Sequence, residues 1–529
     1  MGLGRASAMI AAGTLTSRLT GLLRTVVLVI AINSFGKVPD AFAVANQLPS
    51  SIYMVISAGV LTGVIVPQVV RVSAQRDGGH DFLAKLLTLG LLIMGVVTVI
   101  ATLCAPLLID LYSNFKSPEQ FALASQFAYW CIPQLFFYGM FALLGEILNA
   151  RKIFAPYAWA PIVNNVVSIA GFVLFIVLFG QDRSTLDGWD SSMVLTLAGT
   201  ATFGVIAQLI VLMFFWRKAG IPLKLDFRWR GMGLSRMGKL ATWTFLTTLI
   251  GQGVGIVQSL TVTTASGEHA SAAASQYAWL VYMLPYSMII LAIGTPYFTR
   301  ISEHSAAERH EELRADVGQS IRVLGVFTVI AVAAVSAAAI PASRVFSNTP
   351  SDASAMAPVL IAYLVSLIPM GVLFIVQRTF YAYGDARTPF IFTVIQGALV
   401  LAGTLVVAAT VSVAYLAAAV ALVQSVVGIV QTIIATSLLR RKIGPLGLGP
   451  TWWAMARFIL AAIPAGAAGW GVFVLAGGVD GWMLQGMLQG ALGAALIGSV
   501  SVLVYVALLA LLRAPELAVA VSAVRRRRG

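Results

Sequence analysis

Apolar runs long enough to cross a bilayer recur along the entire chain, each closed by a short polar stretch. One helical crossing takes about 20 mostly apolar residues at about 1.5 Å of rise each. On that measure the pattern predicts helices over about 8 to 32, 41 to 69, 83 to 111, 119 to 149, 154 to 180 and 192 to 216. Eight more follow, over about 239 to 264, 271 to 298, 320 to 346, 354 to 383, 388 to 411, 414 to 438, 452 to 477 and 484 to 512. The fold class is thus an all-α polytopic membrane protein of 14 transmembrane helices. Composition agrees, since 59% of the 529 residues are hydrophobic and 10% are charged, against about 25% charged in ordinary soluble domains. No stretch is left over for a soluble domain.

Charge decides the expected orientation. A net charge of +14 could suggest a nucleic acid partner, but the cations sit between helices and no nucleic acid is expected. An even helix count puts both termini on one side, and Lys and Arg concentrate on cytoplasmic loops. With the N-terminus inside, the inner loops hold Arg71, Arg76, Arg151, Lys152, Arg217, Lys218, Arg228, Arg230, Arg236, Arg440, Arg441 and Lys442. Outside fall Lys37, Lys116, Arg183 and Arg344, and Arg18 and Arg24 lie within the first helix. The outer loop 181 to 191 carries Asp182, Asp187 and Asp190. The tail Arg525 to Arg528 faces the anionic lipids of the cytoplasmic leaflet, or simply anchors the topology. The expected location is the bacterial cytoplasmic membrane, with multiple passes and both termini inside. The first apolar run shows no cleavage site and is read as a retained helix.

An internal repeat divides the spans. Leu48-Pro49 recurs as Leu284-Pro285, Ile132-Pro133 as Ile368-Pro369, and Ala150-Arg151 as Ala386-Arg387, all at an offset of 236 residues. Helices one to six and seven to twelve read as duplicated lobes of the same orientation, because six is even. The expected division is an N-terminal lobe 1–218, a C-terminal lobe 219–442, and an appendix 443–529 with helices thirteen and fourteen and the basic tail. Two parallel six-helix lobes plus two C-terminal helices suit a transporter that rocks around a central site.

Polar residues inside the spans are the candidates for that site. Arg18 and Arg24 point about 120° apart on the first helix, with Thr14, Ser17 and Gly21 between them. An arginine at the bilayer centre costs about 2.5–3.5 kcal/mol on the lenient insertion scale, so it lines a cavity or meets a counter-charge. Acids are scarce. Glu146 lies in a span near its inner end, and Asp40 and Asp110 sit at the rim. A cationic cavity suits an anion, and guanidinium groups bind phosphate oxygens in pairs. Gln252 and Gln258, with Gly251, Gly253 and Gly255, make helix seven small and polar; close helix packing is the plainer reading and a bendable gate the alternative. Arg378 reads as a clamp onto Asp385 or as reaching cytoplasmic water.

Catalytic chemistry finds little here. Cys104 and Cys131 lie in apolar stretches, the four histidines His80, His269, His304 and His310 fall in expected loops, and no GxxxxGK[ST] phosphate loop occurs. No cofactor, metal or catalytic residue is expected.

Several of these residues also carry a resemblance. Ser17-Arg18-Leu19-Thr20-Gly21-Leu22-Leu23-Arg24, Asp40-Ala41-Phe42 leading to Gln47-Leu48-Pro49, and Val66-Pro67 resemble the opening of the MurJ/MviN lipid II flippases. Gln134-Leu135-Phe136-Phe137 to Leu148-Asn149-Ala150-Arg151, and Arg378-Thr379-Phe380-Tyr381-Ala382 to Thr388-Pro389, fit the same family, so the resemblance spans most of the chain. It implies the fold of the multidrug/oligosaccharidyl-lipid/polysaccharide exporters, with helices thirteen and fourteen forming a groove for a lipid tail. It also implies lipid II, an undecaprenyl diphosphate bearing the peptidoglycan disaccharide-pentapeptide, as substrate. The cavity arginines then correspond to Arg18 and Arg24, and an acid opening helix two to Asp40. Met54, Ala58 and Leu280 stand where many members carry charges, and helices seven, eleven and twelve contain no Asp, Glu or Asn for a sodium site.

The expected substrate-binding residues are therefore Arg18, Arg24, Ser17, Asp40, Gln252 and Gln258. Lipid II and anionic membrane lipids are the expected partners, with cell-wall synthesis or division proteins as further candidates. Rival readings are a flippase for another undecaprenyl-linked glycan, a multidrug exporter of the same fold, or a transport-dead scaffold; a membrane glycosyltransferase would need an acid or base on outer loops that are too short.

Overall fold

Hydrocarbon offers backbone N–H and C=O groups no partner, so a chain this apolar satisfies them within helices. The structure, a computed structural model, describes residues 3–60, 79–216, 224–228 and 234–516, and every regular element among them is helical. Val66-Pro67, Arg71, Arg76, Arg217, Lys218, Arg230 and Arg525 to Arg528 lie outside the described residues. Thirteen helices among the described residues are long and apolar enough to cross a membrane. The second expected span is described as Lys37–Val60 and is not one of the thirteen.

The chain forms two units, Met1–Gly267 and Glu268–Gly529. The first contains α1 (Leu3–Ile32), α2 (Lys37–Val60), α3 (His80–Leu103), α4 (Ala105–Tyr112), α5 (Pro118–Cys131), α6 (Gln134–Ala150), α7 (Ala155–Phe179), α8 (Thr200–Phe214) and α9 (Leu234–Thr263). The second contains α10 (Ala272–Pro285), α11 (Ala292–Ala306), α12 (His310–Ala337), α13 (Ala339–Arg344), α14 (Pro350–Leu364), α15 (Leu367–Ala382), α16 (Arg387–Thr410), α17 (Leu416–Ile443), α18 (Gly449–Leu475) and α19 (Met487–Leu511).

The repeat seen in the dipeptides reappears as a shared order of breaks. The third crossing of each sequence repeat, with α9 counted as the first crossing of the second, is a long helix and a short one, α3 with α4 and α12 with α13, hinged at Cys104 and Ala338 with closely similar dihedrals (φ −90°, ψ 14° and φ −93°, ψ 9°). Pro106 and Pro341 lie just past the hinges, where proline removes a helical N–H and crowds the carbonyl a turn earlier. The fourth crossing divides into two comparable halves, α5 with α6 and α14 with α15, and Pro133 and Pro369 stand near those joints. Between α10 and α11 the turn Tyr286–Leu291, directly after Pro285, is π-helical.

Packing departs from the repeat at α9. The duplication groups this helix with the second lobe, yet it packs with the first unit against α2 and α4. Polar contacts at its end account for this. Ser259 Oγ donates to the Tyr112 carbonyl at 2.5 Å, and the Asn114 N–H donates to Thr263 Oγ1 at 2.8 Å.

Apolar side chains dominate the core of each unit. Leu83, Leu143, Ile147, Leu148 and Leu212 centre the first. Phe458, Ala461 and Met455 of α18 meet α12 and α19 in the second, where the Tyr505 hydroxyl donates to the Val326 carbonyl at 3.1 Å. The outward faces are apolar as well, with Leu475, Leu511 and Trp453 each more than three-quarters exposed, as lipid-facing positions are.

Three expectations for charged residues change. The partner of Asp385 is not Arg378: Lys442 Nζ on α17 lies 2.5 Å from its carboxylate, and the Thr388 N–H and hydroxyl donate to it at 3.0 and 2.9 Å. Arg378 instead stacks over Phe298 and Phe374, at 5.0 and 5.1 Å from the ring centroids. Aromatic faces attract a guanidinium whose charge is only partly hydrated. His80, His304 and His310 belong to helices rather than loops, because their segments continue the flanking helical turns. His304 Nδ1 lies 3.2 Å from Asp316, which also binds Arg300 at 2.5 Å. Arg344 is 6% exposed, so it is not an open loop cation. Its Nε donates to the Leu484 carbonyl at 2.8 Å and its Nη1 to the Ser347 carbonyl, joining the end of α13 to the segment before α19.

Replacing Arg344 with alanine strands both buried carbonyls and should cost about 1–3 kcal/mol. A fall in the detergent unfolding midpoint, partly recovered by Arg344→Lys, checks this; an unchanged midpoint refutes the staple. Asp385 gives a pH signature. Burial pushes its carboxyl up, but the Lys442 ammonium and the Thr388 donors outweigh burial and hold it below the ordinary aspartate range. A depressed native value adds stability above the unfolded value of about 3.9, and that stability is lost as pH falls through the native value. The midpoint of Asp385→Asn should thus lie below wild type near neutral pH, with the gap closing below about pH 4. A gap independent of pH refutes the ion pair's contribution.

Candidate functional site

The polar side of α1 is held in place by α7. At about 100° per residue, Ser17, Arg18, Gly21 and Arg24 fall on one side of α1, and Leu15, Leu19 and Leu23, each about half exposed, on the other. Both arginines and Ser17 are half-buried. Asn165 of α7, itself 6% exposed, donates through Nδ2 to the Ser17 carbonyl and to Thr20 Oγ1, both at 2.9 Å. The Thr20 hydroxyl in turn donates to the Thr16 carbonyl at 3.0 Å. Close approach higher up depends on Gly13, where a Cβ would stand 2.9 Å from Trp159 Nε1.

A polar thread also runs through the first unit. The Tyr138 hydroxyl donates to Gln134 Oε1 at 3.2 Å. Gln134, 1% exposed, donates through Nε2 to Thr202 Oγ1 at 3.0 Å and to Asn46 Oδ1 at 3.4 Å. Thr202 completes the thread by donating to the Trp130 carbonyl at 2.7 Å. Sequence reasoning assigned no role to Tyr138, Gln134, Asn46 or Asn165. The available signal was amide side chains inside apolar runs, which must find partners in lipid.

The remaining expected residues lie elsewhere. Asp40 is 1% exposed at the start of α2 and accepts a hydrogen bond from Ser266 Oγ at 2.7 Å. Gln120 Nε2 donates to the same Ser266 oxygen at 2.6 Å and to the Lys37 carbonyl at 2.8 Å. Asp40 thus belongs to a network that joins α2, the start of α5 and the residues after α9. Gln252 and Gln258 are half-buried on α9, with Gln252 Nε2 3.7 Å from Met54 Sδ. A Cβ added at Gly251, Gly253 or Gly255 meets no atom within 4 Å, so among the described residues these glycines are not spent on the close helix packing expected of them. The structure therefore brings together Ser17, Arg18 and Arg24, and sets Asp40 in a separate cluster beside α9.

Two guanidinium groups on a face fixed by buried hydrogen bonds can donate to the oxygens of a phosphate or diphosphate. Comparison with known proteins shows the family. The model of the family described as "Lipid II flippase MurJ" matches residues 16–488. The chain belongs to the lipid II flippase MurJ family. A probable lipid II flippase MurJ of Synechocystis sp. is 26% identical over 535 residues, covering 97% of this chain and 95% of that protein. A probable lipid II flippase MurJ of Vibrio cholerae is 24% identical, covering 95% of each. Among solved structures, a lipid II flippase MurJ in an inward closed conformation superposes with a TM-score of 0.70 at 20% identity, over 93% of this chain and 98% of that one. An inward-facing multidrug resistance MATE family transporter of the MOP superfamily gives 0.65 at 16% identity, over 81% and 95%. The MurJ family model begins within the α1 segment that carries Ser17, Arg18 and Arg24.

Asn165 generates a test. Interhelical hydrogen bonds in membrane proteins average about 0.6 kcal/mol and reach about 1.7 kcal/mol, so Asn165→Ala should lower stability by a value in that range or somewhat above it. The reading is the unfolding midpoint in detergent, and a value equal to wild type would mean that α7 does not position α1.

Proposed function

We propose that this MurJ family member flips lipid II from the inner to the outer leaflet of the cytoplasmic membrane by alternating access, with both termini in the cytoplasm. The observation that carries the reading is the pair of half-buried arginines, Arg18 and Arg24, on a face of α1 anchored by Asn165. Ser17, Gln252 and Gln258 are proposed as further polar contacts for the headgroup. Asp40 serves better as a structural tie than as a direct ligand, since its carboxylate is buried and engaged with Ser266.

Transport needs no bond to break, and the polar groups on α1 are binders rather than acids or bases. The order of breaks shared by the two repeats supports duplicated lobes, 1–218 and 219–442, that rock against each other, with 443–529 appended. Orientation rests on the Lys and Arg distribution. The tail Arg525 to Arg528 would then meet anionic lipid, and cell-wall synthesis or division proteins would be neighbours in the membrane. Membrane potential acts on the anionic cargo with about 2.3 kcal/mol per charge per 100 mV.

A multidrug exporter is the second reading, favoured by the likeness to the MATE transporter fold. A cationic drug calls for buried carboxylates in the translocation path, and the α1 face offers arginines instead.

Depletion in the native host, or complementation of a flippase-deficient strain, with lipid II exposure measured outside the membrane, tests the proposal. Arg18→Ala and Arg24→Ala should each lower exposure at least tenfold while membrane insertion stays normal. Full exposure in both variants removes the cationic face from the mechanism, and normal exposure on depletion without a redundant flippase removes the function.

A further inference from the structure

Three adjoining cavities in the second unit have no part in the reading above. The largest, about 460 Å³, is apolar and lies between α12, α15, α17 and α18, with Ile368, Ile433 and Met455 in its wall. Thr436 and Trp452 are shared with a neighbour of about 370 Å³. That neighbour shares the connection Pro445 to Gly447 with a third cavity of about 310 Å³. The two smaller cavities carry the charge, Arg440 in one and Arg314, Arg322 and Glu311 in the other.

The cations at this mouth exceed the acids. Lys442 is taken by Asp385. Glu516 lies 3.9 Å from Arg322 and 3.7 Å from Arg457, one carboxylate spread between two guanidinium groups. Arg314 Nε is buried and has no hydrogen-bond partner among the described residues. Its Nη2 stands 3.0 Å from where a Cβ on Gly444 would lie, and Gly444 has φ +82°, so glycine lets the guanidinium rest against this turn. Arg322 Nη1 donates to Thr451 Oγ1 at 3.1 Å, and Thr451 also lines the apolar cavity. The charged mouth therefore adjoins the apolar interior through shared wall residues. Trp452 and Trp453 are 66% and 76% exposed at the start of α18, the placement of tryptophan at a headgroup interface.

We propose that this site holds an anionic glycerophospholipid of the surrounding leaflet, its phosphodiester between Arg314, Arg322 and Arg440 and an acyl chain in the apolar cavity. Basic pockets between helices at the membrane surface recognise such headgroups, and guanidinium donors pair with phosphate oxygens. A bulk lipid fits better than a scarce lipid-linked diphosphate, because occupancy follows concentration relative to affinity. Calling the leaflet cytoplasmic rests on the orientation proposed above; the binding itself does not.

Native mass spectrometry of the full chain in detergent, titrated with phosphatidylglycerol or phosphatidylcholine, tests the site. Phosphatidylglycerol should bind at least tenfold more tightly than phosphatidylcholine, and the double variant Arg314→Gln, Arg440→Gln should lose that preference while unfolding as wild type does. Should the double variant not fold, Thr436→Trp, which fills the apolar cavity and leaves every cation in place, should lower phosphatidylglycerol binding at least tenfold. Equal binding of the two lipids, wild-type preference in the folded variants, or displacement of phosphatidylglycerol by an equimolar undecaprenyl diphosphate overturns the proposal. Arg18→Ala should leave phosphatidylglycerol binding unchanged, so this proposal and the transport reading fail separately.

Discussion

Inside a bilayer an unsatisfied N–H, C=O or guanidinium costs several kcal/mol, because no water replaces the missing partner. The rest of the structure answers to that constraint. It makes every described element a helix, and it favours polar side chains within a span that are held by another helix or by the carbonyls of their own. Asn165 shows the first case, satisfying Ser17 and Thr20 on α1 at 2.9 Å. Arg18 and Arg24 lie on the face that this amide fixes, so the stability of one helix pair and the geometry of the proposed binding face have a common origin.

The same constraint explains why α9 lies with the first unit although the repeat counts it with the second. Ser259, Thr263 and Ser266 find partners in Tyr112, Asn114, Gln120 and Asp40, and those partners belong to α2 and the α4–α5 region. Asp40 gains a structural task from this arrangement. Its burial and its hydrogen bond to Ser266 place a conspicuous acid in the tie between segments rather than on the arginine-bearing face of α1.

Cations in the second unit follow a different logic, set by the membrane surface. Lys442 neutralises Asp385, Arg300 binds Asp316, and Arg344 serves carbonyls in place of a carboxylate. Arg314, Arg322 and Arg440 gather instead around adjoining cavities. Cations that look like a topological signal in the sequence thus include both neutralised ones, such as Lys442, and a group on α12 and α17 that lines cavities.

Periodicity and composition alone determined the membrane class and nearly all of the crossings, and they singled out a repeat and Arg18 and Arg24 as candidates, because each depends on residues near one another in the chain or on a fixed offset. The shared breaks near Pro133 and Pro369 fall at prolines of the sequence repeat, whose effect on a helix is local. Partnerships were not legible. Arg378 and Asp385 are close in sequence, yet one stacks on aromatic rings and the other binds Lys442 from α17. The Tyr138–Gln134–Thr202 thread, the Asn165 anchor and the Asp40–Ser266 contact join residues up to 226 positions apart. Tertiary structure decided these because a buried polar group takes whichever partner the packing of distant helices brings within about 3 Å, and sequence spacing does not record that packing.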